Sequence, residues 1–310
     1  MGLARAAINL LLNESRKRPF TGRVVTLGTQ HVYATADEVR AMAHETAGVT
    51  LSPDGFEPHQ NAGLAARGFV SDRSLLKGLG FSEVLRVDVS GYEHCDELLD
   101  LNSPETPEHL RGRFDVVLDS GTIEHVFDLP AALRHCARLV KPGGRVIHLT
   151  PSSNCVEHGF YSVSPTLFHD FYKANGFDVA DIFLCRTPLD LPRGAWDVYD
   201  YLHSPQRMIP LGMLDDSIWF TWSVAIAPAT FENVTPQQGF YESTWRQAGN
   251  SEESAAGPES GTKAGRLLDA VKFSPFLTRA AGSAIEGWRS FVNSRRVRRH
   301  QLPYPYVGRF

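Results

Sequence analysis

The chain has 310 residues, of which 42% are hydrophobic and 21% charged, with a net charge of −4. This size and composition suit one large globular domain with appendages, and the slight acidity gives no global case for a nucleic-acid partner. Its four cysteines, Cys95, Cys136, Cys155 and Cys185, form no CxxC pair, which argues against a structural zinc site or a disulfide framework and fits a reducing cytoplasm.

In chain order, residues 4–16 read as a short packing helix. Its apolar run Ala6–Leu12 is broken by Asn9 and followed by no small-residue cleavage site, unlike a signal peptide. No later segment has the length and apolarity of a membrane span. Arg23–Leu27 is a compact β-branched run typical of a buried strand, with Gly28 at its carboxyl end. A helix is predicted over 36–47, where Thr35 and Glu38 have the spacing of a capping box. The Pro- and Gly-containing stretch 48–68 reads as an inserted loop covering part of a site. A second helix follows over 71–79, with Ser71 as cap and Gly80 as stop.

Glu83–Asp88, Phe114–Asp119 and Arg145–Thr150 are predicted strands, and Asp96–Leu99 a short one. A helix over about 129–140 starts at Asp128 with Pro130 in its first turn, and Lys141-Pro142-Gly143-Gly144 ends it. Another helix is predicted from Pro165 to Asn175, capped by Ser164, followed by strands at Phe177–Leu184 and Ser217–Ile226. Alternation of strand and helix predicts an α/β, mostly parallel sheet with helices on both faces and an antiparallel edge. The domain boundaries are a helix at 1–20, a main domain at 21–248, a polar linker at 249–263 and a C-terminal segment at 264–310. That last segment reads as two amphipathic helices broken at Pro275, ending in a basic tail around Arg295, Arg296, Arg298 and Arg299. Such a segment suits peripheral contact with an anionic membrane through 264–300, but a helix folded back on the domain is the preferred reading.

Open α/β sheets bind ligands at the carboxyl ends of their strands. The residues collected there are Gly28 to Gln30, Asp88, Asp100 to Asn102, Asp119 to His125, and Pro151 to Asn154. The stretch Phe114–Thr150, with "EHV" after one strand and "LVKPGGR" before the next, resembles class I S-adenosylmethionine (SAM)-dependent methyltransferases, a Rossmann-like family. The resemblance covers roughly residues 20–228, and is closer to a bacterial subset carrying "SGTIEHVF" and "HGFYSVSPTLF".

The resemblance implies SAM as cofactor and methyl transfer to an O or N acceptor on a small molecule or glycan. Asp88 is then placed to accept hydrogen bonds from the ribose diol. Gly28 lets backbone approach the ligand, Asp100 and Asn102 face the adenine, and Ser120, Gly121 and Glu124 lie beneath the methionine portion. The sequence departs from the family's glycine-rich first loop: one glycine remains, and Gln30 is expected to supply the missing polar contacts. His158 is the expected catalytic base, with His125 in reserve. No metal site is expected, since His125, His158, Asp119 and Glu157 have no fixed ligand spacing. The alternatives are a non-catalytic methyltransferase-like module that holds a partner, and a nicotinamide oxidoreductase, disfavoured by the missing GxGxxG. Nucleic acid is not an expected acceptor, because residues 20–228 present no basic face.

Overall fold

A computed structural model describes residues 2–52, 55–188, 193–203, 214–239, 241–242, 245–246 and 304–310. Met1–Ser204, Ser217–Pro236 and Tyr304–Phe310 make up one compact unit, which holds every element discussed below. The second, Pro205–Asp216 and Gln237–Pro303, falls almost wholly outside the described residues, as do the expected linker and helices over 249–300.

The strands are β1 (Gly2–Leu3), β2 (Arg23–Leu27), β3 (His31–Val32), β4 (Glu83–Asp88), β5 (Glu97–Leu98), β6 (Phe114–Ser120), β7 (Val140–Ser153), β8 (Asp178–Thr187), β9 (Asp197–Asp200), β10 (Ile218–Ile226) and β11 (Tyr306–Arg309). The helices are α1 (Arg5–Lys17), α2 (Ala36–Glu45), α3 (Ala62–Ala65), α4 (Asp72–Gly78), α5 (Leu129–Leu139) and α6 (Pro165–Ala174). Helix starts fall where short-range chemistry satisfies the first N–H groups. Thr35 and Glu38 close a capping box on α2, Ser71 caps α4, Asp128 caps α5 and Ser164 caps α6.

Nine strands form one sheet in the order β11-β9-β8-β10-β7-β6-β2-β4-β5. Strands β5, β4, β2, β6 and β7 pair in parallel, and β10, β8, β9 and β11 extend the sheet antiparallel. The antiparallel part is therefore wider than the edge pair expected from sequence. Beyond the basic tail, residues for which the sequence offered no element form strand β11 at the outer edge. Lys141-Pro142-Gly143-Gly144 does end α5, but the chain continues in β7, where Gly143 N–H donates to Ala227 O at 3.0 Å and Ala227 N–H donates to Gly144 O at 2.8 Å.

Alternation along the strands sorts residues to two faces. Val24, Val116, Leu118, Ile147 and Leu149 share a core with α1, α2 and α4, while α5 and α6 pack on the opposite side. The N-terminal helix is part of this core. Its buried Glu14 is paired with Arg145 of β7 at 2.6 Å and with Arg18 at 2.9 Å.

Chain order places β2 at the sheet's switch point: β4 and β5 lie to one side, β6 and β7 to the other. The crevice beyond the carboxyl ends of β2 and β6 is where such a sheet offers a ligand site.

Candidate active site

A cleft of about 320 Å³ opens at that switch point, within the range of small-ligand pockets. Its floor is the turn after β2. Gly28 adopts φ +72°, and a Cβ there would stand 3.4 Å from Thr122 Oγ1 and 3.6 Å from Asp88 Oδ2. A side chain would therefore be strained and would stand between the carboxylate and the loop after β6. Thr122 Oγ1 donates to Leu27 O at 2.7 Å, fastening that loop to β2.

Gln30 explains how the turn holds with a single glycine. Its amide donates to Leu27 O at 2.8 Å, its backbone N–H donates to Asp72 Oδ2 at 3.0 Å, and its Oε1 is buried without a partner. At the end of β4, Asp88 Oδ1 accepts from Ser90 N–H at 3.0 Å; among the described residues, Oδ2 has no hydrogen bond. Asp100 accepts from Asn102 N–H at 2.9 Å, and Asn102 Oδ1 accepts from Asp128 N–H at 3.0 Å, so both cleft residues also stabilise their own turns.

Behind the wall after β6 lies a second polar group. Glu124 and His125 sit in a 3-10 turn (Ile123–His125), and His158 sits in the loop after β7. Phe160 N–H and Tyr161 N–H donate to Glu124 O at 2.8 and 3.2 Å, clasping the loop onto the turn. Glu124 is 0% exposed, and neither carboxylate oxygen has a hydrogen-bond partner among the described residues. Burial, then the charge of Asp119, push its carboxyl up to about 8. The Nε2 atoms of His158 and His125 stand 3.6 and 3.9 Å from Glu124 Oε1. Burial lowers both histidines, and His158 lowers His125 further, so each imidazole is neutral near pH 7.

Residues 22–185 match a methyltransferase domain family, more than half of the chain. The chain belongs to this class I SAM-dependent methyltransferase family. It is 33% identical over 114 residues to the ubiquinone biosynthesis O-methyltransferases of Yersinia pestis (strain Pestoides F) and Yersinia pseudotuberculosis (serotype O:1b, strain IP 31758). The match covers 37% of this chain and spans 38% of the length of those relatives. Among solved structures, N-methyltransferase NodS from Bradyrhizobium japonicum aligns at 12% identity, with TM-score 0.37, over 72% of this chain and 96% of that one.

The methyltransferase cleft fits the family's methyl donor on two features. Asp88 Oδ2 is an unengaged carboxylate oxygen beside the bare Gly28 turn, and Gln30 Oε1 is a buried acceptor without a partner on a cleft-lining residue. Of the sequence-predicted residues, the structure brings Gly28, Gln30, Asp88, Asp100, Asn102, Gly121 and His125 to this one cleft. Ser120, Glu124 and His158 do not line it. Ser120 and Glu124 are 1% and 0% exposed, because β6 carries its last residue into the core and the following turn folds Glu124 inward.

Two titratable lining residues, His31 and Glu93, were not among the strand-end residues collected from sequence. His31 has buried His59 behind it, from the 48–68 insertion. Asn61 N–H donates to His59 Nδ1 at 2.8 Å, so Nε2 carries the proton and donates to His31 Nδ1 at 3.3 Å. The insertion therefore backs one wall of the cleft.

Proposed function

We propose that this methyltransferase moves the methyl group of SAM to an oxygen or nitrogen of a small molecule or glycan, with oxygen the favoured acceptor. The observation that carries the proposal is the meeting of Asp88, Gly28 and the Asp100–Asn102 turn in one cleft at the switch point, with His125 on its wall. The 33% identity to an O-methyltransferase over 114 residues supports the choice of oxygen.

When bound, SAM supplies a methyl group already made electrophilic by its sulfonium. What remains for this chain is placement and proton handling. Asp88 accepts hydrogen bonds from the ribose hydroxyls, and Gly28 lets the ligand approach the β2 turn. Asp100 and Asn102 meet the adenine, while Gln30 and Gly121 serve the amino-acid end. The acceptor enters from the His125 side. There Phe127 and Phe160, 72% and 66% exposed, meet edge-to-face at 5.6 Å and offer an apolar face for a ring. The neutral imidazoles take the acceptor's proton as attack proceeds, His158 first and His125 in reserve; Glu124, protonated near neutral pH, stands between them.

Calorimetric titration with SAM and S-adenosylhomocysteine tests the cofactor site. One site per chain is expected in the wild type, and binding at least ~10-fold weaker in Asp88→Ala, where a charged hydrogen-bond acceptor is lost. No binding by the wild type, or equal binding by the variant, overturns the assignment.

A further inference from the structure

Glu124 poses a physical problem that methyl transfer does not explain. Burying a carboxyl without a hydrogen bond to either oxygen is costly, and folded proteins rarely leave such a group alone. Here both oxygens are orphaned among the described residues, and so is His158 Nε2. These orphans are neighbours, and His125 completes the set: one ligand atom each from Glu124, His125 and His158 lie within 4.8 Å of one another.

We propose that Glu124, His125 and His158 form a binding site for a divalent transition-metal ion, with zinc as the reference ion. Two imidazole nitrogens and one carboxylate oxygen are a borderline-soft donor set. It suits zinc, iron(II) or manganese better than magnesium, which prefers an all-oxygen shell. Ligand atoms about 2.1 Å from a common ion stand roughly 3 to 3.5 Å apart. The observed separations of 3.6 and 3.9 Å therefore close by small side-chain rotations. Three protein ligands leave open coordination positions for water or an acceptor oxygen, the arrangement of a catalytic rather than a structural site.

The backbone is built to bring these ligands together. Glu124 and His125 are adjacent in one turn, and the clasp from Phe160 and Tyr161 N–H to Glu124 O fixes the loop that carries His158. Gly159 makes the clasp sterically possible, since a Cβ there would lie 2.8 Å from Glu124 O. Tyr161 Oη, donating to Phe127 O at 2.7 Å, ties the loop a second time. The inference runs against the expectation from ligand spacing in sequence. It does not depend on the identity of the acceptor or on SAM binding. With an ion bound, the imidazoles would be its ligands and could not take a proton; the ion would supply Lewis acidity that lowers the pKa of an acceptor hydroxyl, so that its proton passes to solvent water.

The test uses the full chain, stripped with a chelator and dialysed, then titrated with zinc and, separately, with magnesium, followed by elemental analysis after desalting. Cobalt(II) substitution gives a visible spectrum that reports the ligand set in the wild type without any variant. The expected result is one zinc per chain, little response to magnesium, and binding weakened at least ~10-fold in both His158→Ala and Glu124→Gln. No stoichiometric zinc in the wild type, or unchanged affinity in both variants with native circular dichroism, overturns the proposal. Parallel titration of the wild type with SAM reads the cofactor site independently, so failure at one site is distinguishable from failure at the other.

Discussion

Replacing Glu124 by Gln should make the metal-free protein more stable while removing its metal site, and the gain should depend on pH. The buried carboxyl has its pKa raised from 4.5 to about 8. A raised acid favours its neutral form in the folded state. Its contribution is intact below the unfolded pKa, and stability is lost as pH rises from 4.5 through 8. At pH 7 the folded carboxyl is still mostly protonated while the unfolded one is ionised, which corresponds to about 3 kcal/mol lost to the wild type. The loss is about 1 kcal/mol at pH 5 and about 5 kcal/mol at pH 9. Gln keeps the shape and does not titrate. The stability gap between Glu124→Gln and wild type, read by urea unfolding in excess chelator, should therefore widen by about 4 kcal/mol from pH 5 to pH 9. A gap constant to within about 0.5 kcal/mol across that range would refute the assignment of a buried, unpartnered carboxyl at 124.

Other substitutions probe the frame around the site. Gly28→Ala puts a Cβ on a residue at φ +72°, and should lower stability by about 1 kcal/mol in urea unfolding and weaken SAM binding in calorimetry. Gly159→Ala meets Glu124 O at 2.8 Å; it should displace the His158 loop, seen as faster amide exchange at Phe160 and Tyr161 and weaker zinc binding. Arg145→Met leaves Glu14, 3% exposed, with Arg18 alone, and should cost about 3 kcal/mol in denaturant unfolding without altering SAM affinity.

What sequence made legible was what local chemistry decides. The caps Thr35, Ser71, Asp128 and Ser164 each start the expected helix, because the hydrogen bonds concerned reach only two or three residues. Gly28, Asp88 and Asp100 reached the cleft because a strand end in an α/β sheet defines one edge. Strands β9 and β11 escaped notice. They are four residues each, lack a repeating apolar pattern, and owe their conformation to partners far along the chain. Lys141–Gly144 was legible as a helix stop, but its pairing with Ala227 is long-range. The grouping of His158 with Glu124 was hidden for the same reason: a backbone clasp joins the two loops, and no spacing announces it. His59 lies in an insertion, and nothing local ties it to His31.

Strand β11 has a consequence in time. It covers β9 through the pairs Tyr306–Tyr199, Gly308–Val198 and Arg309–Asp197, and Phe310 exchanges two backbone hydrogen bonds with Trp196. The residues that cover β9 are therefore translated roughly 100 positions after β9 itself, a delay of roughly 5–20 s at ordinary elongation rates. During that interval β9 presents an open row of N–H and C=O groups to other nascent chains, beside the Trp196–Phe220 stack that will later be sealed. Residues 306–309 fill that row and leave β11 itself as the outer strand, so a ribosome stalled before residue 304 would release a chain able to form the parallel half of the sheet but with β9 and Trp196 uncovered.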